Sequence, residues 1–154
     1  MKRLFEQIYK ENYKYVYNVA LSVLRNKKDA EDIMQDVFIK FFESIEYFKG
    51  KSDIKTYLYR ITVNKCIDFI RRETLKRKKS EIINEKFAQK QNDNLILDNL
   101  LEKLNVDERI IVSLSEIAGF SYKEIAEILN IKIGTVKSRI NRAINKLKDI
   151  INKE

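Results

Sequence analysis

The stretch NIKIGTVKSRINRA, from Asn130 to Ala143, holds four cations, Lys132, Lys137, Arg139 and Arg142, with one glycine and no acid. Val136 and Ile140 stand four apart, the spacing of one helix face. If that face turns inward, Lys137, Ser138, Asn141 and Arg142 turn outward. Such side chains donate to phosphate oxygens and to base edges in a major groove, which admits a helix. An ordinary helical hairpin with a wet basic face has the same periodicity, so spacing alone leaves both readings open. A second group is Tyr47, Phe48, Tyr57 and Tyr59, interleaved with Lys49, Lys51, Lys55, Arg60 and Lys65. Rings among cations suit a single nucleic-acid strand: bases stack for about 1–3 kcal/mol each while the cations follow the backbone. The plainer alternative places Tyr57 and Phe48 in the core. A third group is acidic, Asp29, Glu31, Asp32 and Asp36, and its plain reading is a solvated helix face.

Covalent chemistry has far less to work with. The chain has no histidine, and Cys66 is its one cysteine. A Cys/His zinc site, a His-based triad and an internal disulfide are therefore excluded. No nucleophile–base pair and no metal cluster is visible, so no enzyme, metal or cofactor is expected. Lys plus Arg number 31 against 23 Asp plus Glu, a net charge of +8, which argues for an anionic partner. After Met1-Lys2-Arg3, charges at Glu6, Lys10 and Glu11 interrupt any apolar signal core. No stretch approaches the ~20 apolar residues of a membrane span. A soluble cytoplasmic protein without membrane insertion is expected, and a lone thiol is compatible with a reducing compartment.

Helices must position these groups. Of 154 residues none is proline and three are glycine, which favours long uninterrupted helices. Phe5, Ile8, Tyr9, Val16, Ala20, Leu21 and Leu24 give helical spacing over Leu4–Leu24. Ala30, Ile33, Met34, Val37, Phe38 and Phe41 make one stripe over Asp29–Ile45, with Asp29 placed to cap its start. EYFKGKSD reads as a loop. Ile54, Leu58, Ile61, Ile67 and Ile70 define a third helix, Asp53–Arg72. The following text, basic from Arg71 to Lys79 and then rich in Gln and Asn, reads as a mobile linker with residual helicity. Periodicity returns at Leu95 with Leu97, Leu100, Leu101 and Leu104. NVDE then offers a capping box, Asn105 as cap with Glu108 reaching back. Ile110, Ile111, Leu114 and Ile117 follow, and Gly119 suits a left-handed helix end. Ser121–Glu124 is a second capping box, opening a helix to Leu129 with Ile125, Ala126 and Leu129 inward. A last helix runs from about Thr135 to Ile151.

The stretch SYKEIAEILNIKIGTVKSRINRA has the layout of a helix-turn-helix. Ala126 is the small residue where the helices cross. Asn130 tolerates the positive φ of the turn. Ile131 plugs the corner. These features together with the acid-free basic stretch from Asn130 to Ala143 favour duplex DNA over a wet hairpin. The fold class is all-α: two small helical domains, residues 1–73 and 95–154, joined by a basic linker, 74–94.

Three segments, DAEDIMQDVFIKFF, FKGKSDIKTYLYRITVNKCIDFIRR and FSYKEIAEILNIKIGTVKSRINRAINKL, together resemble the sigma-70 family of bacterial RNA polymerase specificity subunits. The match is to the small extracytoplasmic-function (ECF) group, in family order and spacing, over nearly the whole chain apart from the linker. The resemblance implies a region 2-like bundle that binds core polymerase and opens the −10 element, and a region 4-like domain that reads the −35 element. It implies that Asp32, Gln35 and Asp36 dock on the clamp helices of the polymerase's largest subunit. It places Phe48, Lys49, Lys51, Ser52, Lys55, Tyr57, Tyr59, Arg60 and Asn64 at the melted strand, the loop from Phe48 to Asp53 taking up a flipped base. It assigns Thr135, Lys137, Ser138, Arg139, Asn141 and Arg142 to the −35 duplex. An anti-sigma factor is a further partner of this class, and the basic linker would thread through the polymerase. The chain departs from the family at Tyr57 and Thr62 of TYLYRIT, where TWLYRIA is usual, at Asn105 after Leu104 in place of proline, and at Asn130 in place of glycine. The competing reading is a dimeric helix-turn-helix regulator with an N-terminal sensory or oligomerising bundle. A third is a helical adaptor with a basic surface.

Overall fold

The computed structural model describes residues 2–48, 53–79 and 95–153, with side chains assigned except at 95–98. Its helices are α1 (Lys2–Leu24), α2 (Lys27–Ser44), a 3₁₀ turn (Ile45–Tyr47), α3 (Ile54–Lys79), α4 (Leu95–Glu102), α5 (Val106–Val112), a π-turn (Ser113–Ile117), α6 (Tyr122–Leu129) and α7 (Ile133–Lys153). There are no strands among the described residues. Helix α3 continues through Lys79, so the basic run expected to begin the linker is helical as far as that residue. The remaining linker residues, 80–94, lie outside the described ones.

The N-termini of α2, α5 and α6 are each set by a local polar side chain. Asn26, not Asp29, caps α2: its side chain accepts the Asp29 N–H at 2.9 Å from an extended backbone. Capping needs an acceptor three residues before the N–H it binds, and Asp29 is itself the donor there. The Asp29 carboxyl lies inside the first turn, its pKa raised by burial, then by the charges of Glu73 and Asp32. Asn105 caps α5 as expected, accepting the Glu108 N–H at 2.9 Å. Glu108 does not close that box. Its Oε1 accepts from the Asn105 side-chain amide and from Lys146 of α7, both at 2.6 Å. At Ser121 both halves of the capping box form, with bonds of 3.2 and 3.0 Å. Gly119 takes φ +75°, as its place after α5 and the π-turn requires.

Helices α1, α2 and α3 pack mutually, and α5, α6 and α7 form a second group. Sequence periodicity supplies each group with an apolar face but says nothing of a joint between them. In the structure one continuous core runs through both, from Ile8, Val16, Phe41 and Leu58 to Ile111, Leu114, Ile125 and Ile140. The joint is made where α1 meets α5 and the π-turn, and where α3 meets α6. Its polar contacts are specific. Arg109 Nε donates to Val23 O of α1 at 3.2 Å, and its Nη1 donates to Leu104 O at 2.7 Å and Leu101 O at 3.4 Å. The Ser22 and Ser113 hydroxyls lie 2.7 Å apart. Tyr59 of α3 meets Phe120 edge to face, centroids 4.8 Å apart. Arg25, held at φ 60°, places Nη2 3.5 Å from Glu102 of α4. Among the described residues no helix is long and apolar enough to cross a membrane.

Candidate nucleic-acid interface

Helix α6, a tight turn and α7 make the expected helix-turn-helix. Asn130 ends α6 in the left-handed region, φ 54° and ψ 50°, which costs asparagine less than other non-glycine residues. The Ile131 N–H returns to Ala126 O at 3.0 Å and the Ile131 side chain packs on the core, so the corner is closed from both sides. Val136, Ile140 and Ala143 of α7 are buried. That fixes the rotation of the helix, and Lys137, Ser138, Asn141 and Arg142 are exposed as spacing predicted. Thr135 and Arg139 flank them, half-buried. Ser138 Oγ donates to Thr135 O at 3.1 Å, leaving its lone pairs outward. The first turn of α7 contains no acid, so nothing on the helix itself repels a phosphate there.

The pair Lys146–Glu108 holds α7 from beneath. Glu108 is 4% exposed, and its partners come from two directions, α7 and the α5 cap. Capping spacing placed Glu108 correctly but misassigned its side chain. Its partner is 38 residues away, and no local pattern points to Lys146.

The second candidate surface lies at the start of α3. Asp53 Oδ1 accepts the Lys55 N–H at 2.7 Å, and Asp53 O accepts from Tyr57 N–H, which opens the helix. Tyr57 packs between Phe48 and Phe41, with centroids 5.4 and 6.2 Å away. Phe48 and Tyr57 are thus half-buried, rings that belong partly to the core. Tyr47 is 77% exposed, and Lys55 and Asn64 are exposed. Tyr57, Arg60 and Asn64 share one side of α3 at i, i+3 and i+7. Lys49, Lys51 and Ser52 lie outside the described residues.

Two members of this set are engaged elsewhere. Tyr59, expected at the strand-holding surface, is 2% exposed. Its hydroxyl lies 3.3 Å from Asn12 Oδ1 and its ring meets Phe120, and burial pushes the phenol pKa up. The reason is periodic: Tyr59 follows Leu58 on the side of α3 that faces α1. Arg60 Nη2 donates to Glu127 O at 2.6 Å and Nε to Ile128 O at 3.4 Å, at the C-terminal end of α6.

The acidic face of α2 is accessible. Asp32, Gln35 and Asp36 are all exposed. The face continues one turn on in Ile39 and Phe42, which stand outside the core stripe and are 58% and 54% exposed. A face that is acidic at one end and apolar at the other suits a protein partner better than solvent alone. Cys66 is fully buried, its thiol pushed up to about 12 by desolvation, and has no part in either surface.

A helix-turn-helix with a basic outer face, packed on a bundle with rings and cations at one end and acids along another side, defines a nucleic-acid-binding protein built to hold a protein partner too. Residues 8–75 match the family described as Sigma-70 region 2, and residues 94–147 match Sigma-70, region 4. Similar proteins include the ECF RNA polymerase sigma factor SigE of Mycolicibacterium smegmatis, 32% identical over 97% of this chain. The chain spans 62% of that relative's length. The ECF RNA polymerase sigma-E factor of Escherichia coli K12 is 33% identical over 84% of this chain and 78% of its own. In structure the chain is similar to the sigma factor RpoE of Bartonella quintana, solved with the anti-sigma factor NepR: TM-score 0.80, 28% identity, 96% of each chain covered. The chain belongs to the sigma-70 family of RNA polymerase sigma factors, in its ECF group.

Proposed function

We propose that this sigma factor works in the cytoplasm by dividing promoter recognition between its two helical groups, residues 1–73 and 95–154, while bound to core RNA polymerase. Helix α7 reads the −35 duplex: Lys137, Asn141 and Arg142 reach base edges and phosphates, with Thr135, Ser138 and Arg139 on the flanking backbone. The first group takes the −10 strand as it melts. Tyr57 stacks on a base, and Lys55, Arg60 and Asn64 hold the backbone beside the loop of Phe48, Lys49, Lys51 and Ser52. Tyr59 supports that surface from within the core. Asp32, Gln35 and Asp36, extended by Ile39 and Phe42, dock on the clamp helices of the polymerase's largest subunit. An anti-sigma factor is the expected inhibitor, as one accompanies the Bartonella relative.

No covalent step belongs to this chain. Binding energy favours the open promoter over the closed one, and the polymerase performs the chemistry. The observation that carries the reading is the rotation of α7. Three buried residues, Val136, Ile140 and Ala143, turn an acid-free row of donors to solvent. Run-off transcription with purified core polymerase on host genomic DNA, followed by start-site mapping, tests it. Transcripts that depend on this chain and share two upstream elements are expected. Tight palindrome binding by a dimer without polymerase would instead identify a conventional regulator.

A further inference from the structure

Two glycines of the second helical group stand there for different reasons. Gly119 takes φ +75°, which only glycine adopts freely. Gly134 is the second residue of α7, helical and outside the left-handed region. A methyl group placed on its Cα would meet no atom of the chain within 4 Å. Neither backbone nor packing therefore asks for glycine at 134, although glycine costs a helix more than any residue but proline. Its neighbour Ile133 is the converse anomaly, an apolar side chain 45% exposed. Both head the outward face of α7. Ile133, Lys137 and Asn141 form one row at i, i+4 and i+8, and Gly134, Ser138 and Arg142 form the next, all six exposed. The two rows carry polar side chains everywhere except at this end.

The second helix of a helix-turn-helix meets base edges with its N-terminal residues. Ile133 and Gly134 are then the residues nearest the base pairs. Of the groups that base pairs present in the major groove, one alone is apolar, the C5-methyl of thymine. We propose that Ile133 and Gly134 form an apolar notch that receives the C5-methyl of a thymine in the −35 element and so determines specificity at that base pair. Gly134 supplies the room, because a bare Cα lets the base edge approach closer than any side chain allows. Ile133 supplies the contact that takes the methyl out of water. Cytosine, which carries hydrogen at C5, leaves the notch unfilled. This rests on the promoter reading above, and it adds to the donors Lys137, Asn141 and Arg142 one position that reads shape instead of hydrogen bonds.

The test uses the full chain with core polymerase. Start-site mapping of its transcripts on host genomic DNA defines the −35 element. Synthetic promoters then carry deoxyuridine in place of each −35 thymine, one at a time. Deoxyuridine keeps every hydrogen-bonding group of thymine and lacks only the methyl. At one position the parent protein should direct about fourfold less transcription from deoxyuridine, the effect of losing one buried methyl. Ile133→Ala should fall by a similar factor on thymine and lose nothing more on deoxyuridine at that position. Gly134→Ala should fall about tenfold on thymine, because the added methyl overpacks the notch, and should regain most of that activity on deoxyuridine at the same position. In the free protein Gly134→Ala should raise the melting temperature by about 1–4 °C, since its methyl group has open space and favours the helix. The notch is overturned if Gly134→Ala transcribes at the parent level, if no deoxyuridine substitution restores it, or if it melts below the parent. Transcripts from the parent together with any of these results reject the notch alone, whereas no transcripts from any template reject the promoter reading on which it stands.

Discussion

Replacing Lys146 by methionine isolates the ion pair that seats α7 on α5. Glu108 is 4% exposed, and its Oε1 accepts from Lys146 Nζ and Asn105 Nδ2, both at 2.6 Å. Removing one partner of a fully buried pair costs about 3–5 kcal/mol, because the other charge is left in a poor solvent. A hydrogen bond to a charged group contributes about 1.5–3 kcal/mol. The Lys146 side chain is 44% exposed, so water screens it, and the Asn105 amide still solvates the carboxylate afterwards. The lower end applies, about 1.5 kcal/mol, or a fall in Tm of about 3–6 °C for a chain of this size. Methionine retains most of the aliphatic length, so packing changes little. Urea unfolding followed by circular dichroism measures the loss as a lower midpoint at constant slope. Adding Glu108→Gln to Lys146→Met removes the stranded charge while keeping an acceptor for Asn105, and should recover about 1 kcal/mol. If Lys146→Met leaves the midpoint in place, or if Glu108→Gln lowers it further in that background, a buried carboxylate charge is not what the pair relieves.

Lys137→Ala and Asn141→Ala should each weaken promoter use by about 1–3 kcal/mol and relax preference at particular −35 positions. Equal loss on every promoter sequence would assign them to phosphate only. Asp32→Lys combined with Asp36→Lys should abolish capture of core polymerase while the far-ultraviolet spectrum stays unchanged, since both carboxylates are exposed; retained capture would reject the docking face. At alkaline pH the folded protein should lose stability through Cys66 and Tyr59, whose pKa values burial raises, the thiol's to about 12. Above pH about 9 the unfolded chain has released protons that the folded one keeps, so stability falls as pH rises, by up to ~1.4 kcal/mol per unit for each group. Thermal melts from pH 7 to 11 should show the decline, and Cys66→Ala should reduce its early part; a flat profile contradicts the burial argument.

Apolar periodicity alone located every helix that it was strong enough to phase. Of the stripe Ala30, Ile33, Met34, Val37, Phe38 and Phe41 all are buried except Met34, which is half-buried, and Val136 and Ile140 are buried too. The turn chemistry at Gly119, Ser121 and Asn130 was equally legible, because each acts within four residues of itself. Errors arose where two local solutions competed. Asn26 and Asp29 both fit a cap, and only the helix start decides between them. Tyr59 stood among cations and read as a strand-binding ring, although its position beside Leu58 turns it to α1. Ile39 and Phe42 fall outside the apolar stripe, and spacing alone assigns them no partner.

The deeper gap concerns the two ends of a helix. The N-termini of α2, α5 and α6 are capped by Asn26, Asn105 and Ser121, residues adjoining the helices they cap, so sequence shows them. At the C-terminal ends of α1 and α6, by contrast, carbonyls receive arginines 86, 67 and 68 residues away, Arg109 at Val23 O and Arg60 at Glu127 O and Ile128 O. Carbonyl groups at a helix end accept from any donor that the tertiary fold delivers, so the residue that satisfies them leaves no trace nearby. The same independence from local sequence makes such a cap replaceable. Water or another donor can take over the α6 carbonyls in place of Arg60, whereas the Ser121 cap of α6 has its donor within its own helix. In this chain the joint between the two helical groups uses the replaceable kind of cap, and the start of α6 the other.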